Sequence, residues 1–205
     1  MIKPSSVNTS AAASVTIKDI FHDYILRNQD ETGLLTLLQE QIEKQNDTEL
    51  KSRKNFIGHV TAAAFIVDKS NRKVLLLEHK VLKKFLQPGG HIDNSSETPL
   101  NGAIRELEEE TGIKIRQLRH RQAVPGRDDV PFDIDTHYIP ENAKKNEPEH
   151  YHHDFRYLFI KEDELDITID TTESNEYRWV EWDEFAKEPH FKKVARKIEE
   201  LAFKS

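Results

Sequence analysis

Residues 89–113 read GGHIDNSSETPLNGAIRELEEETGI, and this stretch decides the fold. Its second half, Pro99 to Thr111, has the marks of a helix specified at both ends. Thr98 is a side-chain cap, Pro99 suits the first turn, and Gly112 can take the left-handed conformation that stops it. Leu100, Ala103, Ile104 and Leu107 recur at helical spacing and form a stripe for burial. At about 100° per residue, Glu106, Glu109 and Glu110 share one strip at the rim of that stripe. Like charges at such spacing destabilise a helix, so something must offset them. A divalent cation would do so, and Mg²⁺ takes hard oxygen ligands while keeping waters for phosphate chemistry.

Residues 105–113, RELEEETGI, resemble the core of the Nudix box, G-x5-E-x7-R-E-U-x-E-E-x-G-U, where U is aliphatic. Glu97 stands at the pattern's distance before Arg105. Six residues, not five, separate Gly90 from Glu97, so the loop before the helix carries one extra. The resemblance implies the Nudix α/β/α sandwich with a mixed sheet over residues 56–205, preceded by an N-terminal helical extension at 1–55. It further implies catalytic roles for Arg105, Glu106, Glu109 and Glu110. Mg²⁺ or Mn²⁺ would be held by Glu106, Glu109, Glu110 and the carbonyl of Gly90, with Arg105 fixing the carboxylate rotamers through charge-assisted hydrogen bonds.

Composition bounds the alternatives. The chain has 205 residues, 36% hydrophobic and 33% charged, with a net charge of −7. A protein that simply grips a nucleic acid backbone carries the opposite sign, so no nucleic acid partner is expected. With no cysteine there are no disulfides, thiolate metal sites or thiol nucleophiles. That absence also weighs against the isoprenoid-isomerase relatives of the Nudix fold. No run has the length to span a bilayer and the Ser/Ala-rich start lacks a signal peptide's apolar segment, so a soluble, cytoplasmic protein without a membrane partner is expected.

Taken in order, residues 1–14 are small and polar and read as frayed. Thr16 with Asp19 makes a capping box ahead of Ile17, Ile20, Phe21, Tyr24 and Ile25 at helical spacing. A second helix is predicted from Asp30 or Glu31, with Leu34, Leu35, Leu37, Leu38 and Ile42 apolar, ending at Asn46-Asp47. Residues 50–55 read as a charged connector. These helices either pack on the domain or serve as a homodimer arm or pocket wall. Residues 59–67 and 73–78 are strand-like around a turn at 69–72, and the alternation in 113–116 predicts another strand. Val194, Ile198 and Leu201 mark a C-terminal helix, so the arrangement is α+β. The aromatics of 177–185 read as core, and the basic run at 114–121 as solvated charge.

A second constellation lies outside the box. Phe132, Ile134, Thr136 and Tyr138 alternate with Asp133, Asp135 and His137. Further on, His150, His152, Asp154 and Arg156 alternate with Tyr151, His153, Phe155 and Tyr157. With a period of two, each set takes one face of a strand. If the segments pair as a hairpin, one surface gathers Asp133, Asp135, His137, His152 and Asp154 in a register that makes those faces coincide, and the sequence does not set that register. His137, His152, Asp154 and Arg156 are therefore candidate substrate-binding residues, with Arg156 suited to bidentate phosphate recognition.

The resemblance points to a metal-dependent pyrophosphohydrolase that cleaves a diphosphate bond in a small nucleoside diphosphate derivative. A nucleoside triphosphate pyrophosphatase is the nearest alternative. A messenger-RNA cap or 5′-triphosphate hydrolase is disfavoured by the acidic chain, and a non-catalytic sensor by the intact carboxylates. Glu106 or Glu109, or else Asp154 or His152, would be the general base.

Overall fold

The computed structural model describes residues 15–204, and the expectation of a frayed start at 1–14 lies outside them. The elements are α1 (Ile17–Arg27), α2 (Thr36–Lys44), α3 (Asp47–Lys51), β1 (His59–Asp68), β2 (Lys73–His79), β3 (Lys84–Leu86), β4 (Gly89–His91), α4 (Pro99–Thr111), β5 (Leu118–His120), β6 (Asp133–Ile139), β7 (His150–Lys161), β8 (Ser174–Glu181), α5 (Trp182–Phe185) and α6 (Lys192–Ile198).

β1 organises the rest. Its HVTAAAFIVD sequence is buried along its whole length, as expected of a strand covered on both faces. The sheet path runs β3–β2–β1–β7–β5, with β4 added to β1, β6 to β7 and β8 to β2. β1 and β7 run parallel, from His59 opposite His152 to Val67 opposite Ile160, and the other pairings are antiparallel. On one face Val60, Ala62, Ala64 and Ile66 pack with Ala103 and Leu107 of α4 and with Ile17, Ile20, Tyr24 and Leu38. On the other, Phe65 and Val67 pack with Leu158, Trp182, Phe185, Val194 and Ile198. Helices therefore cover both faces of a mixed sheet, the expected α/β/α sandwich with N-terminal helices.

α4 forms with the caps its sequence specifies. Thr98 accepts a hydrogen bond from the Asn101 N–H, and Gly112 ends the helix at φ 72°. The Thr16–Asp19 capping box also forms. Other boundaries differ from expectation. The predicted second helix starts as a 3₁₀ segment, Gln29–Leu35, before α2. Asn46 does not merely end α2. Its side chain and that of Glu49 make a reciprocal capping box that starts α3, so part of the expected connector is helical. The strand predicted at 113–116 is absent. Glu108 accepts from the Ile115 N–H and from Lys114 Nζ, and Gln117 Oε1 accepts from the Lys114 N–H. These bonds hold Ile115–Gln117 as a 3₁₀ turn, and β5 starts only at Leu118. Of the aromatics expected in the core, Trp182 and Phe185 are buried but Tyr177 is exposed.

Candidate active site

The Thr98 cap and apolar stripe of α4 set the helix against β1 and β4, and this fixes where its charged rim points. Arg105 is the hub. Its Nε donates to Glu97 Oε1 at 2.9 Å, Nη1 to Glu106 Oε1 at 2.9 Å and Glu109 Oε2 at 3.0 Å, and Nη2 to the His91 carbonyl at 2.8 Å. The extra residue before Glu97 does not displace it from Arg105. Burial alone would raise the Glu97 carboxyl, but hydrogen bonds from Arg105 and from the Asp93 N–H outweigh it and hold the group below its usual range.

The three carboxylates of the rim occupy different surroundings. Glu109 is largely exposed and reaches only Arg105. Glu106 is turned against β4, and burial raises its pKa despite the bond from Arg105. Glu110 is buried and accepts the Gly89 N–H at 2.8 Å. Burial pushes its pKa up to about 8 against that hydrogen bond, with the charges of Glu106, Glu173 and Asp170 adding to the rise. A Cβ on Gly90 would collide with the Glu106 carboxylate. A buried carboxylate, Glu110, and a half-buried one, Glu106, thus converge on a bare stretch of backbone, with Arg105 as the cation in contact with Glu106. This is an all-oxygen donor set with excess negative charge, and it fits a hard divalent cation.

The hairpin expected from the second constellation forms as β6–β7. Its register places Asp133 opposite Arg156, Asp135 opposite Asp154 and His137 opposite His152, so all six share one face. Arg156 is not free to clamp phosphate as expected. Its Nε donates to Asp154 at 2.9 Å, Nη1 to Asp133 at 3.0 Å and Nη2 to Asp135 at 3.1 Å. Burial would raise Asp135, but His137 and Arg156 hold it well below the usual carboxylate range. Asp154 also accepts from Thr61 Oγ1 at 3.1 Å. Asp133 is fully buried and lies 3.0 Å from Lys193 Nζ and 2.9 Å from Lys197 Nζ.

Several residues here escaped the sequence reading. The parallel pairing of β1 with β7 brings in His59, and β4 brings in His91; their ring centroids lie 4.8 and 5.0 Å from that of His152. Burial, followed by Arg53 and the repulsion among the clustered imidazoles should more than one be protonated, pushes His91 down to about 3. Burial with that same mutual repulsion pushes His152 down to about 2, so both rings are neutral near pH 7. His59 heads a strand that was legible, but its pairing partner is more than ninety residues away and leaves no local pattern. Gly90 and His91 carry the two halves of the site. Gly90 faces Glu106, and His91 faces the histidines across the sheet. Of the basic run, Lys114 pairs with Glu108, Arg119 pairs with Glu162, and Arg121 donates to the Leu201 carbonyl.

A family model described as NUDIX domain matches residues 58–201. A protein of Lactococcus lactis subsp. cremoris (strain MG1363), described as "Probable DHNTP pyrophosphohydrolase", is 32% identical over 128 residues, which is 62% of this chain and 69% of that protein. The solved structure of the E. coli dihydroneopterin triphosphate pyrophosphohydrolase superposes with a TM-score of 0.54 at 16% identity, covering 71% of this chain and 96% of that one. At that identity the likeness is one of fold. A NUDIX-family hydrolase from Clostridium perfringens gives 0.50 at 25% identity, covering 70% and 97% of the two chains.

Proposed function

The chain belongs to the Nudix family, and from that premise we propose that it is a Mg²⁺- or Mn²⁺-dependent pyrophosphohydrolase of a small phosphoanhydride. The observation that carries the reading is the convergence of half-buried Glu106 and buried Glu110 on the side-chain-free backbone at Gly89 and Gly90. Glu106, Glu109, Glu110 and the Gly90 carbonyl would hold the cation. When bound, it offsets phosphate charge and lowers the pKa of a coordinated water. Arg105 keeps the carboxylates of Glu97, Glu106 and Glu109 in fixed rotamers and ties them to β4 through the His91 carbonyl. Burial makes Glu106 more basic than an ordinary carboxylate, which favours it as general base. Asp154 is held by Arg156 and Thr61, and His152 binds protons too weakly for that role.

In the same proposal, His137, His152 and Asp154 form the polar wall of the substrate side, and Arg156 holds that wall together. The sequence reading favours a nucleoside diphosphate linked to another moiety. A second reading, a triphosphate releasing pyrophosphate, is favoured by the activity in the name of the Lactococcus relative. No helix among the described residues is long and apolar enough to cross a membrane, and a cytoplasmic setting is part of the proposal. The test is phosphatase-coupled phosphate release from DHNTP, nucleoside triphosphates, nucleotide sugars, ADP-ribose and dinucleoside polyphosphates, with Mg²⁺, with Mn²⁺ and in EDTA. Turnover that EDTA abolishes is expected. Binding of these compounds without any turnover would overturn the reading in favour of a sensor.

A further inference from the structure

His59, His150 and His152 each offer a ring nitrogen within 4.8 Å of the other two. The tautomers of His59 and His150 follow from their backbone partners. Nδ1 of His150 lies 2.8 Å from the Pro148 carbonyl, which can only accept, so Nδ1 carries the hydrogen and Nε2 a bare lone pair. Nδ1 of His59 lies 3.2 Å from the Asn55 carbonyl, with the same consequence. His59 Nε2 is buried and has no hydrogen-bond partner among the described residues, although a buried acceptor without one costs about 1–3 kcal/mol. His150 Nε2 and His152 Nε2 are 3.2 Å apart, a hydrogen bond in which His152 Nε2–H donates to the His150 lone pair and which a bound ion would replace after the His152 proton shifts to Nδ1. That separation is close to the ~3.3 Å edge of a tetrahedron with Zn–N bonds of about 2.0–2.1 Å.

We propose that His59, His150 and His152 form a second metal site, selective for a borderline transition ion of the zinc class and separate from the carboxylates of α4. Imidazoles anchored by Nδ1–H to a carbonyl are the arrangement that orients metal-ligating histidines. The donors are all nitrogen, so the site discriminates against Mg²⁺, whereas the oxygen donors of α4 suit it. Asp154 does not compete as a ligand, because Arg156 and Thr61 hold it. Three ligands leave a fourth tetrahedral position for solvent or an incoming donor. The ion would pin the starts of β1 and β7 together where the Arg53–Glu147 ion pair, at 3.7 Å, spans the same junction. It would also sit beside His91, whose neighbour Gly90 faces the α4 carboxylates, so the two sites would meet through β4.

The experiment titrates Co²⁺ into chelator-stripped full-length protein in excess Mg²⁺, which occupies the carboxylate site. One equivalent with the intense visible absorption of tetrahedral cobalt is expected, displaced by one equivalent of Zn²⁺. A Glu106→Gln, Glu110→Gln double variant should keep that band. His59→Asn and His150→Asn should each weaken Co²⁺ binding by more than the roughly 10–100-fold that loss of an outer-shell partner costs. Only weak octahedral absorption in the wild type overturns the proposal, whatever the folding of the variants. So does loss of the band in the folded carboxylate variant, or its survival in both histidine variants.

Discussion

The carboxylate of Glu106 fills the space that a side chain on Gly90 would need, with Glu106 Cδ only 2.6 Å from where the Cβ would lie. The obstruction is the end of a flexible side chain, so Gly90→Ala would leave the backbone in place and turn Glu106 aside. The expected outcome is a fall in kcat/KM of about tenfold or more, equivalent to about 1.4 kcal/mol, with little change in the unfolding midpoint. Steady-state kinetics beside a thermal melt check it. Full activity would mean that the position of Glu106 against β4 is irrelevant to turnover.

Glu110→Gln separates the charge of this residue from its hydrogen bond, because the amide oxygen still accepts the Gly89 N–H. The folded pKa of Glu110, about 8, stands above the ordinary value of 4.5. A raised folded pKa favours the protonated form, so its stabilising effect is complete below pH 4.5 and is lost as pH rises toward 8. In EDTA, wild type should therefore lose stability relative to Glu110→Gln across that window, by up to a few kcal/mol at about 1.4 per pH unit. Mg²⁺ should restore the wild type at pH 8 and leave the variant nearly unmoved. Urea melts at pH 5 and pH 8 read both effects, and activity of the variant should fall by about ten- to a thousandfold. Equal pH dependence of the two proteins would sink the argument.

The Arg156 network is a stability element before it is anything else. Arg156→Met would leave Asp154 and Asp135 without their guanidinium partner, and Asp133 with only Lys193 and Lys197. Breaking a buried ion pair from one side costs about 3–5 kcal/mol. Urea denaturation should show a loss of that size. A fall in kcat/KM at an unchanged midpoint would instead return Arg156 to phosphate recognition.

What could be read from the sequence was what is local. α4 announced itself through Thr98, its apolar stripe and Gly112, because caps and periodicity act within a few residues. Alternation likewise showed which side chains share a face within β6 and within β7, but that the two polar faces coincide rests on their register, which no local pattern carries. The histidine cluster could not be read, because His59 meets His152 only through a parallel pairing that no short pattern encodes. The ion pairs of Arg156 were not legible, because a lone arginine in a strand gives no sign that Asp133 and Asp135, more than twenty residues earlier, will occupy its donors. The expected strand at 113–116 failed because side chains of Glu108 and Gln117 captured the backbone first.

The N-terminal helices offered two sequence readings, packing on the domain or an association arm, and their buried residues bear on which one a truncation would reveal. Ile17, Ile20, Tyr24, Leu35, Leu38 and Leu50 are each at most 1% exposed and belong to the same core as Val60, Ile134 and Phe155. The polar groups are tied in as well. The Ile134 N–H of β6 donates to Tyr24 Oη at 3.0 Å, and Lys197 Nζ of α6 donates to it at 2.6 Å. From α2, Gln41 Nε2 donates to the Gly58 carbonyl at 2.9 Å, while its Oε1 lies 2.8 Å from His153 Nε2. At about 1.5–3 kcal/mol for each large apolar side chain, removing this set costs as much as the roughly 5–15 kcal/mol net stability of a domain. Deleting residues 1–53 should therefore give a chain without a cooperative thermal transition. The milder Tyr24→Phe, which strands the Ile134 N–H and removes one of the partners of Lys197, should cost about 1–3 kcal/mol. Circular dichroism melts with sedimentation read both variants. A truncated chain that melts cooperatively as a monomer, from a full-length dimer, would show instead that these helices serve association.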